Sequence, residues 1–403
     1  MSDKYELVNP ILKTVMQEIY AKRTSLSVEY LVSSRIERIN DKSFCQLFFL
    51  SKGCSHDLRG GCTMCNYGYG KSRQVNTGAM LAEMRSVVEM LPDNLQEIVV
   101  GPIGSMFDDE EVEPDIRESI FELLSSVTTE EFTCETRVDT ITEEKLHGFR
   151  KNIRANKLTL EIGVETVDPW CLRNCINKNL SFEQTRQAIK IIRKAGMHVC
   201  ANVGVGQPFI NDKYSAYLAI QTIRKLLELD VDCIVLFVYN IRPGTLLEWL
   251  YEQRLYDCTS LWIIPEVLSA FSPDELRKIQ ISWYRNYYNS DTKIIQMPHL
   301  CPKCRESVLK LFDDYRNDPS NDTLKPIMEY SCDCREVWQQ WYQNQPCSVD
   351  FDHVSDTYTR MANYYSISDT LLEQELHYMY ATLSPELNSL DIIKQSTITE
   401  AEM

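Results

Sequence analysis

The chain has 403 residues, 44% hydrophobic and 25% charged, a balance that supports a sizeable core and excludes general disorder. The formal net charge is −16, and residues 339–403 carry ten Asp/Glu against two Lys/Arg. That argues against a protein that holds nucleic acid mainly through its phosphates. No apolar run nears the ~20 residues of a membrane span, and charges interrupt the first twenty residues throughout. A cytoplasmic protein with no membrane partner is therefore expected.

Residues 1–41 read as a helical N-terminal extension, with Asn9 as an N-cap and Pro10 in the first turn. Ser43–Leu50 (SFCQLFFL) is predicted as a buried strand, and a loop with three cysteines follows it. Five more strands are predicted at Glu97–Val100, Glu131–Glu135, Leu158–Gly163, His198–Val203 and Cys233–Tyr239. Helical stretches separate them: Met80–Leu91, Asp115–Leu124, Glu143–Lys151, Phe182–Ala195 and Tyr214–Leu229, with Leu246–Gln253 after the last strand. Six βα units imply a parallel α/β fold, with chemistry at the C-terminal ends of the strands. Periodicity alone leaves a barrel and a doubly wound sheet both open. After about residue 270 the alternation stops, and residues 271–403 form a cysteine-bearing region with an acidic tail.

Fifteen cysteines in a chain with no export signal read as metal ligands and buried thiols, not disulfides. Cys54, Cys62 and Cys65 are spaced x7 and x2, with Gly60 and Gly61 to let the backbone turn tightly. Three thiolates suit an iron–sulfur cluster with one open iron. A zinc site with His56 as fourth ligand fits the same spacing.

Several segments together resemble the radical S-adenosylmethionine (SAM) superfamily over about residues 42–270. They are RGGCTMCNYG at 59–68, GPIGSMFDDEEV at 101–112, ETRVDTIT at 135–142, LEIGVETVDPWCLRNCINKNLSFEQ at 160–184, NIRPGTLLEWL at 240–250 and LWIIPEVL at 261–268. Within it the chain looks most like the elongator-catalytic-subunit group and the archaeosine-forming radical SAM lyase. Met64 stands where most members have an aromatic, and Val138 where this group usually has proline.

The resemblance implies a partial (βα)6 TIM-type barrel. It also implies a 4Fe–4S cluster on Cys54, Cys62 and Cys65, with SAM bound at the open iron. Reductive cleavage of SAM would yield a 5′-deoxyadenosyl radical that takes a hydrogen atom from substrate. By position, the SAM contacts would be Gly104, Ser105, Glu135, Arg137, Gly163, Glu165, Lys178, Asn202 and Ile241. Glu135 and Arg137 also read as an internal ion pair, and Lys178 as a solvated helix-entry lysine. An electron donor of the flavodoxin or ferredoxin kind is implied as a partner.

Cys301, Cys304, Cys332 and Cys334 form two short-spaced pairs, a pattern that fits zinc or an auxiliary iron–sulfur cluster. Tyr251, Tyr256, Trp262, Trp283, Tyr284, Tyr287 and Tyr288 form an aromatic-rich stretch, read as core or as a base-stacking surface. Hydrogen abstraction from a small molecule, peptide or modified nucleoside is expected. The alternatives are an archaeosine-type lyase acting on tRNA, which the acidic charge disfavours, and a non-catalytic zinc-stabilised adaptor.

Overall fold

The computed structural model describes residues 7–23, 31–39, 42–68, 75–102, 104–285 and 294–383. Eight strands make one sheet: β1 (Val32–Ile39), β2 (Lys42–Phe49), β3 (Leu95–Pro102), β4 (Thr129–Thr136), β5 (Ala155–Glu165), β6 (His198–Val205), β7 (Cys233–Val238) and β8 (Ile279–Ile281). β1 is antiparallel to β2, and every later pair is parallel. Strand order in the sheet is the order in the chain. A doubly wound sheet reverses its order at a switch point. This sheet never does, and it curls into an open half-barrel. The six predicted strands are β2 to β7.

The expectation of helix across the first forty residues needs correction. Pro10–Lys22 is a helix, and the Asn9 side chain caps it by accepting from the Ile11 and Leu12 amides. Val32–Ile39 is instead a strand, with Ile39 opposite Lys42 across the hairpin. The missed signal is Asn40-Asp41, two turn-forming residue types between two runs able to pair. β8 also escaped prediction, because three residues are too few to show a period.

Period-2 alternation divides the sheet into two faces. Phe132 and Cys134 on β4, Leu158, Leu160 and Ile162 on β5, Val199, Ala201 and Val203 on β6, and Ile234 and Leu236 on β7 join the main core beneath the helices. Each large apolar side chain buried there contributes roughly 1.5–3 kcal/mol. The helix Phe182–Lys194 shows how a crossover docks. Ser181 and Gln184 close a capping box, and Ala188, Ile189 and Ile192 form the buried stripe.

The opposite, concave face is polar. Thr133 Oγ1 donates to Glu97 Oε1 (3.1 Å), Thr159 Oγ1 to Glu131 Oε1 (2.6 Å), and Asn202 Nδ2 to Glu161 Oε1 (2.8 Å). Lys157 pairs with Glu131 at 2.8 Å.

A second apolar cluster joins the helix Pro10–Lys22 to the helices Phe351–Tyr364 and Asp369–Ala381. It takes Ile11, Leu12, Val15 and Met16 from the first helix, Trp170 to Ile176, Leu246 to Leu250, and Val354, Tyr358 and Met379 from the last two helices. Trp170 Nε1 donates to the Met379 carbonyl (2.9 Å), and Tyr358 OH to that of Asn174 (2.7 Å). Cys62 and Met64 pack against this cluster, so helices from far apart in the chain brace the cysteine loop. Among the described residues no helix is long and apolar enough to cross a membrane.

Candidate active site

The three-cysteine loop leaves β2 at the C-terminal mouth of the half-barrel, and Cys54 opens the one-turn helix Ser55–Leu58. Buried Asp57 organises the loop. Its Oδ2 accepts from the Gly68 amide (2.6 Å) and from Arg23 Nη1 (2.5 Å). Arg23 also donates to the carbonyls of Cys65 (3.1 Å) and Gly244 (2.6 Å), strapping the loop to the first helix and to the segment after β7.

Asn177 holds the other side. It is left-handed, with φ +59°, and its Nδ2 donates to the carbonyls of Gly60 (2.7 Å) and Gly61 (3.0 Å). A Cβ on Gly61 would lie 2.6 Å from the Asp57 Cα, and one on Gly60 would strike the Lys13 carbonyl. Both glycines are therefore steric requirements.

The three thiols lie within reach of one another's charge. Burial pushes the Cys54 thiol up, Cys62 up to about 12 and Cys65 well up, and the neighbouring sulfurs add to the last two. Arg137 opposes the shift at Cys54, and Lys178 opposes it at Cys62. These two cations are suited to compensate bound thiolates. Burial and the Arg137 charge lower His56 to about 4. Its Nε2 faces the Asn177 carbonyl at 3.0 Å, an engagement that competes with a role as fourth metal ligand.

Arg137 follows β4. It donates from Nη1 to Asp108 Oδ2 (2.9 Å), Ser55 Oγ (3.3 Å) and Cys54 Sγ (3.4 Å), and from Nε to Asp139 Oδ1 (3.0 Å). Its ion-pair partners are thus Asp108 and Asp139. Glu135 lies one register step away across the sheet, opposite Glu161. Burial and the Glu161 charge hold its carboxyl well above the usual range.

Lys178 is buried and pairs with Glu165 at 2.9 Å, whose other oxygen accepts from Tyr239 OH at 3.4 Å. Glu165 has φ +66°, an uncommon conformation for a non-glycine residue. A Cβ on Gly163 would lie 2.8 Å from Lys178 Nζ, so the glycine admits the lysine. His56, Arg137, Asp139, Lys178 and Leu180 line a cleft beside the cysteine loop.

Gly104 has φ +152°, and a side chain there would collide with Glu111. The Ser105 amide donates to Glu111 Oε2 (2.8 Å), and its hydroxyl is tied to Thr136 (2.8 Å) and Thr140 (3.2 Å). Ile241 is fully buried in the second apolar cluster, where its amide donates to the Gln296 carbonyl at 2.9 Å. Arg137, Glu165 and Lys178 thus gather beside the thiols, Glu135 and Asn202 line the concave wall, and Ser105 and Ile241 are bound into the framework.

The sequence reading did not single out Arg23, Asp57, Asn177, Glu111 or Glu161. Glu161 was legible as a polar residue at an inward position of an alternating strand. The others depend on contacts made across the fold.

In the aromatic-rich stretch, Trp262 and Tyr284 are core, and Tyr284 OH accepts from the Val238 amide. Tyr256 OH donates to the Gly206 carbonyl. Tyr287 and Tyr288 lie outside the described residues. Far along the chain, the ligand atoms of Cys301, Cys304, Cys332 and Cys334 all lie within 4.8 Å of one another.

Residues 48–238 match the radical SAM superfamily, whose enzymes use a 4Fe–4S cluster and SAM. The chain is 26% identical over 302 residues to archaeosine synthase subunit beta of Methanosarcina acetivorans, covering 73% of this chain and 83% of that one. It is 27% identical over 217 residues to archaeosine synthase subunit beta of Thermococcus kodakarensis, covering 51% and 65%. A solved structure of archaeal Elp3 from Methanocaldococcus infernus, lacking its N-terminus, overlays with a TM-score of 0.42 at 16% identity, covering 60% of this chain and 57% of that one. Residues 48–238, just under half of the chain, are thus the part that is similar to the radical SAM superfamily.

Proposed function

We propose that Cys54, Cys62 and Cys65 hold the 4Fe–4S cluster and that the enzyme acts on a modified nucleoside in tRNA, as an archaeosine-type lyase. The supporting observation for the site is the strapped loop itself: three thiols at the mouth of the half-barrel, Cys54 buried and Cys62 and Cys65 half-buried, with Arg137 and Lys178 beside them. A cluster held by Cys54, Cys62 and Cys65 would supply the one-electron reduction that cleaves SAM and so starts hydrogen abstraction from substrate.

The chain's own residues prepare that step. Lys178 offers its ammonium to the SAM carboxylate. Gly104 gives the SAM amine close access to backbone, and Ser105 positions that backbone through Thr136 and Thr140. Glu135, Asn202 and Glu165 present polar groups to the ribose and adenine along the concave face. The second apolar cluster excludes water from the side of the loop on which Cys62 lies.

The substrate assignment draws on the two relatives named archaeosine synthase subunit beta. Those names describe a subunit, so a partner chain belongs to this reading. A basic partner would supply the phosphate-binding surface that a chain of net charge −16 does not advertise. The acidic concave face favours a second reading, a small cationic molecule or peptide as substrate.

Anaerobic reconstitution with iron and sulfide, then dithionite, SAM and tRNA, tests the assignment. The expected result is 5′-deoxyadenosine formation stimulated by tRNA, with a carbon–nitrogen bond lost from a modified nucleoside in the digest. Cleavage of SAM that no tRNA stimulates, with or without a partner subunit, would sink the tRNA reading and leave the small-molecule one. No SAM cleavage by a well-folded, iron-loaded chain would sink both.

A further inference from the structure

Cys301 and Cys304 span a tight turn, and Cys334 lies in the first turn of a helix that Cys332 caps. Cys304 precedes the helix Arg305–Asn317, and Cys332 precedes the helix Asp333–Gln343. Four sulfur–sulfur distances are short: Cys301–Cys304 3.4 Å, Cys301–Cys332 3.5 Å, Cys332–Cys334 3.5 Å and Cys304–Cys334 3.6 Å. All four ligand atoms fall within 4.8 Å of one another.

Those distances decide how many metal ions fit. Zinc with four thiolates at ~2.3 Å sets its sulfurs on a tetrahedron of about 3.8 Å edge. In a cubane each thiolate sits on a different iron, which drives the sulfurs much further apart. A two-iron cluster places two thiolates on each iron, so one pair of sulfurs must stand well away from the other. Neither cluster fits four sulfurs that share one small sphere.

We propose that these four cysteines bind a single zinc ion in a closed structural site, not an auxiliary iron–sulfur cluster. Four protein thiolates leave no open position for substrate, which separates structural from catalytic zinc. Zinc also outranks iron(II) in affinity for such a site.

The surroundings show what the ion fixes. Trp262 Nε1 donates to Cys334 Sγ at 3.4 Å, and the Trp262 ring stacks on Tyr330 (6.0 Å) beneath the Arg335 guanidinium (5.3 Å). Trp262 is 1% exposed and opens the short helix Ile263–Leu268, which lies between β7 and β8 in the chain. A donor to a ligating sulfur both orients it and tempers its charge. The ion therefore pins the C-terminal helices to the β7–β8 edge of the half-barrel. This assignment stands apart from the radical reading, since it uses none of the residues at the mouth.

Metal analysis of anaerobically purified, iron- and sulfide-reconstituted protein provides the test, with X-ray absorption at the zinc edge on the same sample. One zinc per chain with four sulfurs at ~2.3 Å, and iron for one cubane only, is the expected result. The variant Cys332→Ser/Cys334→Ser should lose the zinc, melt at lower temperature and keep its cubane iron. Iron for two clusters in the full chain, or one tetrahedral thiolate-bound iron by Mössbauer spectroscopy, would overturn the proposal. Equally fatal would be a folded double variant that loses cubane iron and keeps its zinc. If the variant does not fold, the zinc-edge spectrum of the unaltered chain still decides the question.

Discussion

The molecule gathers cysteines twice, in opposite ways. At the C-terminal region four sulfurs crowd within 4.8 Å at the starts of two helices. At the mouth of the half-barrel three sulfurs sit on one loop, and among the described residues they form no such close set. The crowded set offers four ligands for a single ion. The other set brings cations to its thiols, Arg137 at Cys54 and Lys178 near Cys62. Under the two proposals, spacing between sulfurs, more than spacing in sequence, separates the structural set from the reactive one.

The largest effect should come from exchanging single thiols. Cys65→Ala should abolish 5′-deoxyadenosine formation under reducing conditions, whereas Cys332→Ser should preserve it while lowering the melting temperature. Equal loss of SAM cleavage in both variants would erase the distinction.

Next comes Asp57→Ala. It strands buried Arg23, which is paired at 2.5 Å with side-chain exposures of 4% and 2%. Breaking such a pair costs about 3–5 kcal/mol. Denaturant unfolding should show that loss, and iron retention at the mouth should fall while zinc content holds. A shift well below 1 kcal/mol would mean that the strap does not hold the loop.

Lys178→Ala should raise the KM for SAM about tenfold or more, with iron content unchanged, because the loop keeps its Asp57 and Asn177 anchors. Iron loss in parallel would make Lys178 a structural part of the loop.

The smallest effect concerns the concave wall. Burial, with Glu131 adding to it, lifts Glu97 to about 7. Between the ordinary carboxyl value and that one, the folded state binds more protons than the unfolded state. Stability contributed by this group is therefore complete at acid pH and declines as pH rises through 7. Glu97→Gln should flatten the fall in melting temperature between pH 5 and 8, and an unchanged slope would contradict the assignment.

Much of this was readable from residue order. The six βα units, Asn9 as a cap and both cysteine sets follow from periodicity and local spacing. The barrel topology did not, because alternation of strand and helix is common to two sheet architectures, and only the order β2 to β8 separates them. Asn177 and Arg23 were hidden for another reason. Asn177 acts 116 residues away on Gly61, and Arg23 acts 221 residues away on Gly244, so no local pattern marks either. Nor does sequence spacing report that Cys301 and Cys332, 31 positions apart, meet at 3.5 Å.

The ion pair between Lys178 and Glu165 bears on how the empty enzyme waits. Lys178 is already out of water and already has a counter-ion. Under the proposed function, an arriving carboxylate does not strip a hydrated ammonium; it replaces one partner with another. Binding then becomes an exchange of dance partners at a fixed cation, with Glu165 turning toward Tyr239 when displaced and returning when product leaves. Lys178 is paired in both states, with Glu165 when the site is empty and with the arriving carboxylate when it is loaded.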